Sequence, residues 1–157
     1  MAARDGRETR SLLARAVALL ARREHSRAEL AIKLRRALSD TDDPDEVDRV
    51  LDALERDKLL SDERYAGAVT RTRAARFGDA RVRFDLKSAG VAAETVDRAV
   101  ASLKGTELER ARLVWLRRFG ELPRTPQERG RQARFLQARG YSMETISKIL
   151  RGTPGDD

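Results

Sequence analysis

Three copies of one apolar pattern, about fifty residues apart, constrain the fold of this chain more than any other feature. Each copy places apolar residues at positions such as i, i+3, i+4 and i+7, which 3.6 residues per turn bring to one face of a helix. The copies are Val47, Val50, Leu51 and Leu54; Val96, Ala99, Val100 and Leu103; and Ile146, Ile149 and Leu150. A repeat of this length predicts a row of small helical units, and such rows usually bind other macromolecules.

Residues typical of helix starts and helix ends predict three helices in each copy. Ser26 with Glu29 has the Ser-x-x-Glu spacing of a capping box, in which two side chains satisfy free backbone N–H groups, and Thr106 with Glu109 repeats that spacing. Other residues suited to helix starts are Asp43, Ser61, Thr125 and Ser142, and those suited to helix ends are Gly90 and Gly140. The predicted fold class is all-α, with nine helices in three tandem three-helix repeats.

The same signals set the expected domain boundaries. Residues 1–10 are polar and have no apolar period, so we expect them to be disordered. The three-helix repeats are predicted at 11–60, 61–104 and 105–152, and residues 153–157 are expected to be a flexible tail. The composition suits such thin units, because 40% of the residues are hydrophobic but only 4% are aromatic.

The sequence offers no basis for several kinds of chemistry. The chain has no cysteine, which excludes disulfides and thiolate metal sites, and its single histidine, His25, is too few for an ordinary zinc site. No glycine-rich phosphate loop, nucleophile–histidine pair or metal-ligand cluster is present. No apolar stretch approaches the ~20 residues of a membrane span, and the start lacks a signal-peptide pattern. We expect a cytoplasmic monomer that is not an enzyme and uses no cofactor or metal.

The charge is unevenly distributed along the chain, whose net charge is +7. Residues 40–57 contain nine acidic residues and two arginines, whereas residues 64–89 contain seven basic and two acidic residues. Residues 108–140 contain nine arginines and three glutamates. This division favours a polyanionic or charge-patterned partner. The alternative is that these charges only coat a solvated helical surface.

Two groups of basic residues are the candidates for partner contact, either with an acidic protein surface or with DNA phosphate. The first group is Arg71, Arg73, Arg76, Arg81, Arg83 and Lys87, and the second is Arg129, Arg131 and Arg134. Guanidinium groups bind carboxylates and phosphates in paired geometry. The alternative role is to complement helix dipoles and keep the chain in solution.

Three further residues have structural interpretations. His25 directly precedes the capping Ser26, where a side chain usually braces the helix entry. Trp115 is expected in the core, because apolar residues flank it at helical spacing. Gln132 stands where the repeat predicts an apolar residue, which makes its helix less clearly amphipathic.

Four segments form an ordered set that covers about residues 12–151. They are Leu20-Ala-Arg-Arg-Glu-His-Ser-Arg-Ala-Glu-Leu30, Leu59-Leu-Ser-Asp-Glu-Arg-Tyr-Ala66, Phe77-Gly-x-x-Arg-Val-Arg-x-x-Leu86 with Lys87, Gly90 and Val91, and Phe135-Leu-x-x-Arg-Gly-Tyr141. This set resembles the RecX family, the regulators of RecA recombinase. The sequence departs from the family in loop 36–43, where many members have a Lys-Gly pair.

The resemblance implies an elongated, curved molecule that binds RecA, chiefly as its filament on DNA. It also implies inhibition of ATP hydrolysis, strand exchange and co-protease activity, and hence modulation of recombinational repair and the SOS response. Weak direct DNA binding is a further expectation. The competing hypothesis is a DNA-binding protein made of helix-turn-helix-like units, although no helix presents an obvious base-reading N-terminus. A tetratricopeptide scaffold is disfavoured, since its period is about 34 residues.

Overall fold

The all-α fold class is confirmed by a computed structural model of the chain. The structure describes the backbone of residues 2–152 and the side chains of residue 6 and residues 9–152. That part of the chain forms nine α-helices and no strand. They are α1 (Ala2–Arg22), α2 (Arg27–Arg35), α3 (Asp45–Arg56), α4 (Asp62–Ala74), α5 (Asp79–Ser88), α6 (Ala93–Ala101), α7 (Glu107–Arg118), α8 (Pro126–Ala138) and α9 (Met143–Arg151). The expected tail, residues 153–157, lies outside the described residues.

Each group of three helices encloses a core of its own. The third helix of each group supplies the apolar pattern: Val47, Val50, Leu51 and Leu54 from α3, Val96 and Val100 from α6, and Ile146, Ile149 and Leu150 from α9 are all buried. Three separate clusters result, one for each group. Burying one such side chain contributes roughly 1.5–3 kcal/mol. The tandem three-helix repeat predicted from the pattern is therefore confirmed.

The three units form an extended row. The chain exposes 10609 Å² of accessible surface, whereas a compact monomer of its mass, 17.7 kDa, would expose about 7,900 Å². Every extensive helix–helix contact among the described residues joins two helices of the same unit. The units therefore touch through their ends and edges and do not share one core.

The N-terminal helix is longer than the sequence indicated. Helix α1 begins at Ala2, so residues 2–10 are helical where the polar composition predicted disorder. The hydroxyl of Thr9 donates a hydrogen bond to the carboxylate of Glu46 on α3. That contact ties the early turns of α1 to the third helix of the unit, which local composition could not indicate.

Helix capping follows the sequence at most starts but not at Thr106. The Ser26–Glu29 capping box is present with both of its hydrogen bonds, and the N-cap hydroxyls expected before α4, α8 and α9 accept backbone N–H groups. Thr106 instead has helical backbone angles and donates its hydroxyl to Leu103 O at 2.6 Å. The predicted box with Glu109 is therefore wrong, because the hydroxyl is engaged with the preceding turn.

One kind of contact between helix ends, which we call a joint, connects the first unit to the second and the second unit to the third. At the first joint, Ser26 at the start of α2 donates its hydroxyl to Ala89 O at the end of α5, at 2.6 Å. At the second joint, Gly78 at the start of α5 donates its backbone N–H to Arg139 O at the end of α8, at 2.8 Å. In both, the positive end of one helix dipole meets the negative end of the next. The middle helices of the three units therefore meet end to end.

A second hydrogen bond at each joint uses an acidic residue from the next unit. The N–H of Arg27, the first residue of α2, donates to the Asp62 carboxylate at 2.8 Å. Likewise the N–H of Asp79, the first residue of α5, donates to the Glu107 carboxylate at 3.2 Å. Both acids are the first residue of their own helix, α4 or α7. The carboxylates thus satisfy helix N–H groups that would otherwise lack partners.

The second joint requires glycine on both sides. A Cβ atom on Gly78 would overlap the carbonyl group of Gly140 and lie 2.5 Å from Tyr141 N. Gly140 has φ +87°, and a Cβ there would lie 2.6 Å from the Cβ of Arg81. The two backbones therefore approach as closely as they do only because neither residue has a side chain.

We expect Gly78→Ala to destabilise the chain by about 1–3 kcal/mol, since the methyl group forces the two backbones apart. Denaturant unfolding would measure the loss, and hydrogen exchange should speed up at the Gly78 amide. The matched control is Gly67→Ala within α4, where the new Cβ meets only the end of the Arg71 side chain at 3.4 Å. That control should stabilise the chain by ~0.5–1 kcal/mol. Equal effects of the two substitutions would contradict the close approach.

His25 is buried beside the first joint. Its Nδ1 lies 3.1 Å from Arg23 O, and its Nε2 lies 2.9 Å from Lys33 Nζ. Because an ammonium group can only donate, Nε2 accepts and Nδ1 carries the proton. Burial, supported by the positive charges of Arg23 and Lys33, lowers the pKa of His25 although the bond to Arg23 O opposes the shift. The neutral imidazole is therefore the form that the fold stabilises.

We expect stability to fall as the pH drops below about 6.5, because the unfolded chain then binds a proton that the folded chain binds less readily. One proton limits the loss to about 1.4 kcal/mol per pH unit, and the contribution is fully present above that pH. Unfolding midpoints between pH 7.5 and 5.5 would measure it. His25→Gln is the control, since no other histidine is present. An identical pH profile in that variant would disprove the role of His25.

Candidate partner-binding surface

Two of the candidate arginines share one carboxylate on α5. Arg81 Nε lies 3.1 Å from one oxygen of Asp85, and Arg73 Nε lies 3.6 Å from the other. Arg73 is near the end of α4, so the pair also joins α4 to α5. Both arginine side chains remain 40% or more exposed despite this shared partner.

Aromatic rings hold further guanidinium groups in place near the second joint. The ring of Phe77 lies 4.9–5.5 Å from the guanidinium carbons of Arg73, Arg81 and Arg139. The ring of Phe135 also has two guanidinium neighbours: the guanidinium carbon of Arg139 lies 5.0 Å from its centroid, and that of Arg118 lies 5.8 Å away. Such cation–π contacts contribute about 0.5–1 kcal/mol each at exposed sites. Arginines from the second and third units are thereby fixed on one surface.

A groove opens on this surface between the second and third units. It has a volume of about 290 Å³, and we call it the junction groove; it is lined by Ala75, Arg76, Val114, Arg117, Arg118, Phe135 and Arg139. Its four arginines form no ion pair with any carboxylate of the described chain. The groove is consequently a patch of four positive charges that no carboxylate of the described chain neutralises.

The structure places the remaining candidates apart from this groove. Arg71 lines a separate groove between α4 and α6, and Arg83 forms an ion pair with Asp97. Arg129 donates to Leu150 O at the end of α9, at 3.3 Å. Lys87, Arg131 and Arg134 are exposed, and their side chains make no ion pair with the described chain. The nine candidates therefore do not form one continuous patch; only Arg73, Arg76 and Arg81 lie near the second joint.

Sequence reasoning missed three arginines of the junction groove. Arg117 and Arg118 lie at the end of α7, and Arg139 follows α8, whereas the sequence directed attention to Arg129, Arg131 and Arg134. The available signal was the spacing of aromatic and basic residues in the segments that begin at Phe77 and Phe135, because those rings hold the arginines. Contacts between residues more than fifty positions apart, such as Arg139 with Phe77, leave no local pattern.

The three units carry different charges. Residues 11–60 contain ten basic and eleven acidic residues, residues 61–104 contain nine and six, and residues 105–152 contain eleven and five. Positive charge therefore grows from the first unit to the third, and the junction groove lies between the two basic units.

Other kinds of site have little support in the described chain. Among the side chains that the structure describes, no group of three or more acidic or histidine residues is placed to hold a metal ion. Within the same residues, no helix combines the length and apolar character needed to cross a membrane.

The fold and the surface define an all-α tandem three-helix repeat protein with one mildly acidic unit and two basic units. Residues 61–100 match the family model of the second three-helix domain of RecX, and residues 106–150 match that of the third. Regulatory protein RecX of Leptothrix cholodnii is 48% identical over 141 residues, which cover 90% of this chain and 88% of that protein. Regulatory protein RecX of Ralstonia nicotianae is 42% identical, with 93% and 90% covered. The chain belongs to the RecX family.

Solved structures share the fold. The crystal structure of RecX from Lactobacillus salivarius matches with a TM-score of 0.76 at 18% identity, covering 93% of this chain and 96% of that one. A second crystal structure of a regulatory protein RecX matches with a TM-score of 0.79 at 19% identity, covering 96% and 75%. At such identities these structures support the arrangement of helices alone.

We expect Phe77→Leu to destabilise the chain by about 1–2 kcal/mol beyond the lost packing, because three guanidinium groups lose their ring. Phe84→Leu is the matched control, since Phe84 is 64% exposed and has no cation–π contact in the described chain. Surface changes of that kind usually stay within ~0.5 kcal/mol. Thermal or denaturant unfolding measures both, and equal losses would show that the ring does not organise the arginines.

Proposed function

We propose that this chain is a monomeric, cytoplasmic, non-catalytic regulator that binds RecA, chiefly as its filament on DNA. It inhibits RecA's ATP hydrolysis, strand exchange and co-protease activity, and so modulates recombinational DNA repair and the SOS response. The observation that carries this proposal is that relatives 42–48% identical over about nine tenths of the chain are named regulatory protein RecX.

The repeat architecture supports contact with a filament. We propose that the units 11–60, 61–104 and 105–152 act as successive contact modules. A row of similar units can meet several subunits of a periodic partner at once, and each later contact is then intramolecular. The candidate partner-binding residues remain Arg71, Arg73, Arg76, Arg81, Arg83, Lys87, Arg129, Arg131 and Arg134, to which we add Arg117, Arg118 and Arg139.

Base-specific DNA recognition has less support. The third helix of each unit would be the one to enter a DNA groove, with its N-terminal residues nearest the bases. The first turns of α3, α6 and α9 all contain acidic residues, which the DNA backbone repels. The starts of α2 and α5 are occupied by the joints. These features favour a protein partner over a helix-turn-helix mode of reading DNA.

We expect the chain to inhibit RecA's DNA-dependent ATPase at concentrations well below that of RecA subunits. Charge reversal at Lys87, Arg131 and Arg134 should weaken that inhibition, because the three residues are exposed and make no ion pair in the described chain. At about 0.5 kcal/mol per contact, the half-inhibitory concentration should rise roughly tenfold. ATPase assays across a concentration series would measure this shift.

The control reverses Arg22, Arg36 and Arg56 in the first unit, which are likewise exposed and form no ion pair in the described chain. That variant should inhibit RecA like the unmodified chain. The proposal fails if the unmodified chain leaves the ATPase unchanged while binding naked DNA tightly. Equal weakening by both variants would remove the basic surface of the second and third units as the contact.

A further inference from the structure

We infer that the junction groove binds phosphate groups carried along a chain molecule, and that this ligand braces the second joint. The inference goes beyond binding of RecA and is tested without RecA, so either proposal can fail while the other stands. It rests on three features of the groove: its unneutralised charge, its hydrogen-bonding character and its position across two units.

The charge of the groove has no counterpart within the described chain. Arg73, Arg81 and Arg83 of the second unit each form an ion pair with an aspartate. The four arginines of the groove have no such pair, although the guanidinium groups of Arg118 and Arg139 both lie within 6 Å of the centroid of the Phe135 ring. Like charges held together raise the free energy of the folded state, and a polyvalent anion relieves that repulsion.

The hydrogen-bonding groups of the groove side chains are all donors. Guanidinium groups donate and never accept, and the other lining side chains, Ala75, Val114 and Phe135, are apolar. The carbonyl group of Arg76 already accepts from Arg139 Nη1 at 3.2 Å. A peptide in the groove would bring N–H groups that find no side-chain acceptor, at a desolvation cost of about 1–3 kcal/mol each. A phosphodiester chain offers only acceptors, so it matches the groove better than an acidic peptide does.

Two of the four groove arginines, Arg118 and Arg139, are also held in position before any ligand arrives. The ring of Phe135 contacts the guanidinium groups of Arg118 and Arg139 and packs edge-on against the ring of Phe119, with centroids 5.3 Å apart. Side chains already ordered lose less entropy when they bind. Ala75, Val114 and Phe135 meanwhile offer an apolar floor on which a sugar or base can rest.

The groove spans the second joint. Arg76 follows α4 in the second unit, whereas Arg117, Arg118 and Arg139 belong to the third. Two successive phosphates that contact both sides would link the units in parallel with the hydrogen bond from Gly78 N to Arg139 O. Ligand binding should therefore slow the opening of this joint.

The test uses the full chain and a fluorescent oligodeoxythymidylate, with binding measured over a salt series. Arg76→Gln with Arg117→Gln removes two groove charges whose exposed side chains make no ion pair in the described chain. The matched control is Arg36→Gln with Arg56→Gln in the first unit. The groove variant should lose roughly tenfold in affinity. Its slope of log affinity against log salt should be shallower by about 1.4, as expected for two lost contacts to a single strand.

The control variant should keep the affinity and the slope of the unmodified chain. Hydrogen exchange at the Gly78 amide should slow when the oligonucleotide is added, but not in the groove variant. Equal losses in the two variants would overturn the proposal in favour of diffuse charge attraction. It is also overturned if a glutamate oligomer of equal charge binds as tightly and loses as much in the groove variant, because the groove would then be a peptide site.

Binding of inorganic polyphosphate of equal charge, compared with binding of the oligonucleotide, shows whether the groove prefers a nucleic-acid strand or any chain of phosphates. Tighter binding of the oligonucleotide supports a nucleic-acid strand that uses the apolar floor. Equal or tighter binding of polyphosphate, lost in the groove variant, supports phosphate recognition with the floor unused. Binding of neither ligand overturns the inference, and it leaves RecA inhibition to be judged by the ATPase assay.

Discussion

The contact between the backbones of Gly78 and Gly140 holds the second and third units together, and the basic surface depends on it. Neither residue has a side chain, so the start of α5 can donate its N–H directly to the end of α8. Arg110 reinforces the joint, since it donates to Ala74 O and Phe77 O and pairs with Asp79. The resulting geometry places Arg139 of one unit over Phe77 of the other. Arginines far apart in the chain thus come to line one groove.

The two joints have the same geometry but use different residues. The first joint uses the hydroxyl of Ser26 where the second uses the backbone of Gly78, and an Arg64–Glu24 ion pair accompanies the first. The acids that complete the joints, Asp62 and Glu107, both begin the first helix of the following unit. Burial raises the pKa of Glu107, but hydrogen bonds from Thr145, Ser142 and the Asp79 N–H outweigh it and hold that pKa below its usual range. Repetition of the joint explains how units that differ in charge share one architecture.

The sequence predicts what depends on local periodicity and capping. The apolar stripes of α3, α6 and α9, the capping box at Ser26 and the core position of Trp115 all follow from spacings within a few residues. Gln132 shows where this reasoning ends: it occupies an apolar position because it accepts the indole N–H of Trp115 at 2.8 Å, from another helix. The groove arginines could not be predicted from local spacing either, because they too depend on contacts between distant residues. The second joint brings these arginines together, and it connects residues about sixty positions apart in the sequence.

Arginines with a carboxylate partner and arginines without one affect the stability of the fold differently. Where Asp85 or Asp97 is available, a guanidinium group contributes to the fold itself. Where no carboxylate is available, as in the junction groove, Arg118 and Arg139 are held by aromatic rings and, for Arg139, by the carbonyl group of Arg76. An anion that contacts both sides of the joint stabilises the docked units by binding them more tightly than the separated ones. By linkage, the docked joint improves the binding of that anion by the same free energy. Docking of the second and third units and the affinity of the junction groove for an anion are therefore coupled.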